Sequence, residues 1–193
     1  MKQSILFLML TLALKSYGQE VGNDESQPTG LHAPMLINEL FYLRTLGNLE
    51  AQYPTAAGLS VGYGVFYKDI MVKLQVGYTS YAVNPDPSAQ GGNSLSAFHL
   101  LGGPRYLIAK GSFMPYVSAA VGVNFVTETG SYTIDTNSRI LFATQYGIGA
   151  MVHLAANVGL DFAAKYNAHF FYDPRMMTGF EYGVGVTWSL ANE

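Results

Sequence analysis

The 193-residue chain contains no cysteine, which excludes a disulfide framework, a thiolate metal site and a lipid anchor built on a cysteine side chain. Charge is scarce too. Asp, Glu, Lys and Arg make up 12% of residues, about half the usual share of a soluble domain, although 49% are hydrophobic. Past the N-terminal segment no stretch approaches 18 uninterrupted apolar residues, so a passage through a bilayer would have to be made by strands. There is no basic patch for nucleic acid, no Gly-x-Ser-x-Gly elbow and no His-Glu-x-x-His helix. The pairs Gly62-x-Gly64, Gly147-x-Gly149 and Gly183-x-Gly185 sit inside alternating segments with no helix after them, and therefore read as strand glycines, not as nucleotide loops.

What fills the chain instead is glycine (21), tyrosine (14) and phenylalanine (11), a composition that favours strands with close backbone approaches. The first residues have the form of a secretory signal. Lys2 supplies the positive region, Ile5 to Leu14 the apolar run, and Ser16-Tyr17-Gly18 a small-x-small cleavage site. Residues 1–18 are thus expected to be removed, leaving a mature chain from Gln19, and the loss of Lys2 and Lys15 takes the formal charge from −3 to −5. Residues 19–34 read as a polar tail.

From Ala56 onward polarity alternates with period two. Leu59, Val61, Tyr63, Val65 and Tyr67 share one face, and Ile70, Val72, Leu74, Val76 and Tyr78 continue it after Lys68-Asp69, so that turn and register agree on a hairpin. Equivalent sets begin at Phe98, Val117, Tyr146, Val158 and Phe180, giving seven strands. Short connections at Lys68-Asp69, Lys110 to Pro115 and Ala155 to Asn157 alternate with longer polar ones at Asn84 to Asn93, Thr129 to Arg139 and Tyr172 to Thr178. Outer-membrane barrels show this asymmetry, and with both termini in the periplasm they need an even strand number. Met35 to Leu46 lacks clean alternation, and its pattern alone leaves a strand or a turn or two of helix open; parity makes it the first of eight strands. The expected fold is an all-β, transmembrane, antiparallel up-and-down barrel over residues 35–190, with a short tail at 191–193.

The second face carries mostly Gly, Ser, Thr and Asn with isolated charges, too few for a solvated exterior but suited to a narrow lumen. Tyr67, Tyr78, Phe170, Phe180 and Trp188 lie near strand ends on the apolar face, as in the aromatic girdles of a lipid-facing surface. Eight strands enclose a space that side chains can fill. Inward projection puts Lys73, Arg105, His153 and Asp161 in a lower tier and His99, Glu128, His169 and Glu181 in a higher one, with Lys165 between and Glu181 as its partner. These nine residues are read as a polar network filling the lumen.

Several short motifs carry a resemblance. The signal ends in Ser-Tyr-Gly-Gln, Gly103-Pro104-Arg105-Tyr106 lies within a strand, Pro115-Tyr116-Val117 leads into Gly122-Val123, and the last strand contains Gly183-Val184-Gly185-Val186. On these the chain resembles, over about Thr55 to Leu190, the outer-membrane β-barrel domain family common in Bacteroidetes, related in architecture to the small OmpA- and OmpX-type barrels. The resemblance implies a barrel type and no shared catalytic residues. The end Trp188-Ser189-Leu190-Ala191-Asn192-Glu193 departs from the aromatic C-terminus that barrel insertion machinery often reads.

Three functional classes follow. The first is a structural or interaction protein of the outer membrane presenting its outer loops to an extracellular or envelope partner, monomeric, without cofactor, and in contact with lipid and the insertion machinery. The second is a narrow channel. The third, a lipid-A-modifying hydrolase, would need Ser96, His99 and a rim carboxylate such as Glu128 brought together. A metal on His99 and His169 would lack the usual third and fourth ligands.

Overall fold

The computed structural model describes residues 33–47, 50–84, 94–129, 136–155, 157–170 and 177–190, with only the backbone of Thr129, 136–138, His169, Phe170 and Met177. The described residues form eight strands: β1 (Met35–Leu46), β2 (Thr55–Tyr67), β3 (Ile70–Ala82), β4 (Ser94–Leu107), β5 (Phe113–Thr129), β6 (Thr136–Ala155), β7 (Val158–Phe170) and β8 (Met177–Ser189). Each pairs antiparallel with its sequence neighbours, and β1 pairs β8 from Met35↔Ser189 to Leu46↔Thr178, closing the barrel. Closure leaves no sheet edge to be satisfied.

Met35 to Leu46 is therefore a strand. Its faces do not separate by polarity because both are largely apolar: Met35, Ile37, Phe41 and Leu43 are buried inside, while Leu40 and Tyr42 are exposed outside. The β2–β3 hairpin has the expected register, with Tyr67 opposite Ile70. Lys68 takes a positive φ of 57° in its two-residue turn. Several of the expected connections shorten, among them the one before β8, which begins at Met177 and not after Thr178. The β5–β6 ladder runs out to Thr129↔Thr136, so residues 136–139, expected as loop, are strand; β5 also begins at Phe113 instead of after Pro115. In β4, Pro104 has no N–H to give β5, and the ladder lapses between Gly102↔Val121 and Arg105↔Ser118 but resumes in the same register. A bulge between His153 and Ala155 ends β6.

The interior corrects the expectation of an entirely polar lumen. Near the short turns, Met35, Ile37, Phe66, Met71, Leu107, Met114, Tyr116 and Met151 form one buried apolar cluster. Near the longer connections, Leu43, Tyr53, Ala56, Tyr81, Leu95, Ala97, Val126 and Leu141 form another. Tyr53 reaches this plug from the β1–β2 connection, which is held inward by the Thr45 hydroxyl donating to the Tyr53 carbonyl and by Asn84 Nδ2 donating to the Ala51 carbonyl at 2.8 Å. Polar side chains occupy the belt between the two plugs.

Candidate functional site

The belt is assembled from strands far apart in sequence. Arg105 on β4 donates from Nη2 to Asp161 Oδ2 on β7 at 2.9 Å, and Tyr116 on β5 donates its hydroxyl to Asp161 Oδ1 at 2.7 Å. The guanidinium also lies 3.8 Å over the Tyr116 ring, a cation–π contact between buried groups. On the other side of the belt Lys165 donates to Glu181 Oε1 at 2.8 Å and to Glu39 Oε1, while Lys73 Nζ stands 3.7 Å from Glu39 Oε2. Amides complete the second group. Asn167 Nδ2 donates to Glu181 Oε2 at 2.8 Å, and Gln145 Nε2 donates to Asn167 Oδ1 at 2.8 Å.

Lys73, Arg105 and Lys165 thus face Glu39, Asp161 and Glu181, one cation for each carboxylate. An isolated charge in such surroundings would be strongly disfavoured, and pairing is what makes its burial tolerable. Space for these groups comes from glycines on facing strands. A Cβ on Gly183 would lie 1.9 Å from Glu39 Oε1, and one on Gly149 would lie 2.3 Å from the Tyr116 hydroxyl oxygen. The inward glycines are therefore sockets for particular long side chains.

Of the nine residues singled out in the sequence, Lys73, Arg105, Asp161, Lys165 and Glu181 meet in this belt. His99 is buried above them, against Phe41 at 5.9 Å between ring centroids, in a cavity that Glu181 also lines. Glu128 lies at the rim, where it accepts from the Tyr53 hydroxyl; burial and that carboxylate push the hydroxyl's pKa up. His153, half-buried at the bulge, lies apart at the short-turn end. The backbone of His169 pairs with Ala143, and its side chain lies outside the described residues. Glu39 was missed, because it sits in the strand whose alternation is masked by apolar residues on both faces. Its signal was the one acidic residue in the run Leu36-Ile37-Asn38-Glu39-Leu40-Phe41.

No hydrolytic triad is assembled from the residues considered for one. In β4, Leu95, Ala97 and His99 are buried inside, which turns Ser96 to the outer face, while Glu128 is engaged by Tyr53. Among the described residues no group of three His, Asp or Glu is placed to hold a metal ion. Two internal cavities of about 20 Å³ each flank Leu101 and Gln145, each with room for about one water molecule.

Outside, polarity is reversed. Leu40, Leu59, Val72, Leu74, Ile148 and Val184 are all more than half exposed, with Tyr67 at 70% near the short turns and Tyr42, Tyr78, Phe98 and Phe180 towards the opposite end. Soluble monomers rarely expose contiguous apolar area on this scale.

Neither a known protein family nor a curated protein matches the sequence. Solved structures do. Neisserial surface protein A is 17% identical with a TM-score of 0.63, covering 81% of this chain and 97% of its own. The attachment invasion locus protein Ail of Yersinia pestis is 16% identical with a TM-score of 0.53, covering 81% and 98%. The outer membrane protein OprG of Pseudomonas aeruginosa is 12% identical with a TM-score of 0.55, covering 86% and 100%. At such identities the likeness is one of fold: this chain is built as a small, closed, eight-stranded antiparallel barrel of the type those proteins share.

Proposed function

We propose that the mature chain is an integral outer-membrane protein with a structural or interaction role. The observation that carries this reading is the largely apolar outer surface around a lumen that holds buried, paired charges, the inverse of a water-soluble barrel. In this reading residues 1–18 are the cleaved signal, the barrel stands in the membrane as a monomer of Bacteroidetes type, and its natural contacts are lipid, the insertion machinery and an extracellular or envelope protein. The end of the barrel at which β1, β3, β5 and β7 finish faces outward from the cell. Rigid scaffolds of this sort place recognition in their loops.

Conduction and catalysis are less well supported. Two apolar plugs and a paired charged belt occupy the lumen, against a channel for solutes. The opposite orientation of Ser96 and His99 argues against the hydrolase. Cell fractionation tests the proposal: the protein should be recovered in the outer membrane, begin at Gln19 by mass spectrometry, and migrate on gels at a different position before and after boiling. Recovery as a soluble periplasmic species would overturn it.

A further inference from the structure

We infer that the lower of the two internal cavities is a binding site for a single small anion, a halide. The cavity lies where the β4–β5 ladder lapses, and its lining includes Lys73, Arg105 and Lys165 with the polar side chains of Gln75, Ser118 and Gln145. Glu39, Asp161 and Glu181, the counter-charges of those cations, are not in the lining. The cavity therefore sees the positive side of each ion pair.

Arg105 supplies the second observation. Its side chain is 3% exposed, Nη2 is taken by Asp161, and one face of the guanidinium is covered by Tyr116. Nε and Nη1 remain buried with no acceptor. Two unpartnered donors on a buried cation are disfavoured by the full desolvation of those groups. Lys73, at 3.7 Å from Glu39 Oε2, is likewise beyond hydrogen-bond distance of that carboxylate. A monoatomic anion accepts from several donors at once and has no proton of its own to place, which suits the free donors of Arg105 and Lys73 better than water does. The cavity volume of about 20 Å³ admits a particle of about water size. Chloride is the halide the site would meet in an aqueous envelope.

The test uses the protein refolded in detergent micelles and crystallised from sodium bromide. Bromide should give an anomalous-scattering peak inside the cavity, within contact distance of Arg105 and Lys73. Thermal unfolding should shift upward, and saturate, in chloride or bromide relative to gluconate at equal ionic strength. Lys73→Gln, which leaves the Arg105–Asp161 and Lys165–Glu181 pairs in place, should abolish that shift. If this variant does not fold, the bromide peak in the unsubstituted protein decides alone. A cavity without an anomalous peak, or a halide shift that survives in a folded Lys73→Gln variant, would overturn the inference.

Discussion

Lys165 and Glu181 stand directly opposite each other in the β7–β8 ladder, the ammonium donating to the carboxylate at 2.8 Å. The second acceptor of Lys165, Glu39, comes from β1, so one lysine ties the last two strands to the first across the line where the barrel closes. Lys165→Met would leave two buried carboxylates without their shared cation, and breaking a buried pair in this way is destabilising by about 3 to 5 kcal/mol. Glu39→Gln should be milder, since Lys165 retains Glu181. Urea titrations in micelles, scored by the folded and unfolded gel bands, should show that order; a Lys165→Met protein as stable as its parent would remove the pair from the closure argument.

Tyr116 offers a narrower test of the same belt. Its hydroxyl donates to one oxygen of Asp161 while Arg105 holds the other. Tyr116→Phe keeps the ring beneath the guanidinium and removes the donor, so the folded state should lose about 1 to 3 kcal/mol. An unchanged urea midpoint would mean that Asp161 finds another donor.

The socket role of glycine is also open to measurement. Gly183→Ser adds one small polar side chain facing a polar lumen, which alternation alone reads as limited mainly by space. With a Cβ only 1.9 Å from Glu39 Oε1, the Glu39 side chain, which accepts from Lys165, must shift. Overpacking of this kind destabilises by about 1 to 3 kcal/mol. Glu39→Ala in the Gly183→Ser background should recover part of the loss caused by the serine, measured as a double-mutant cycle.

Seven strands and the closing parity were legible because turns and alternation agree from Ala56 onward, as at Tyr67 and Ile70. The eighth could be placed only by counting, since β1 sends Phe41 and Leu43 inward to the lumen and Leu40 and Tyr42 outward, and polarity cannot separate two apolar faces. Glu39 was lost with it. The plugs were hidden for a related reason: at strand ends, runs such as Val65-Phe66-Tyr67 and Ile70-Met71-Val72 are apolar on both faces and read as outer surface alone. Four buried methionines, Met35, Met71, Met114 and Met151, cluster beside the short turns, and that recurrence was the available sign. Pairing within the lumen was legible only where partners are ladder neighbours, as Lys165 and Glu181 are. Arg105 and Asp161 meet across the barrel from β4 and β7, and alternation carries no information about cross-lumen contacts.

The filled lumen makes a prediction about conductance. With apolar plugs at both ends and about 20 Å³ in each internal cavity, purified protein in planar bilayers should produce no stable large conductance. Steady openings that pass sugars would contradict the packing described for the interior.

The most direct test of the central claim, that the apolar face meets lipid and the charged face is enclosed, is quenching by a lipid-attached quencher of a fluorophore placed at single positions. Leu74 and Val184 are 56% and 54% exposed, whereas their neighbours Gln75 and Gly183 face the interior. Side chains alternate across a strand, so one residue's shift in position should reverse the result. Fluorophores at 74 and 184 should be quenched by acyl-chain quenchers and those at 75 and 183 should not; quenching at 75 and 183 with none at 74 and 184 would mean that the barrel faces its membrane the other way round, and quenching at none of the four that it does not enter one.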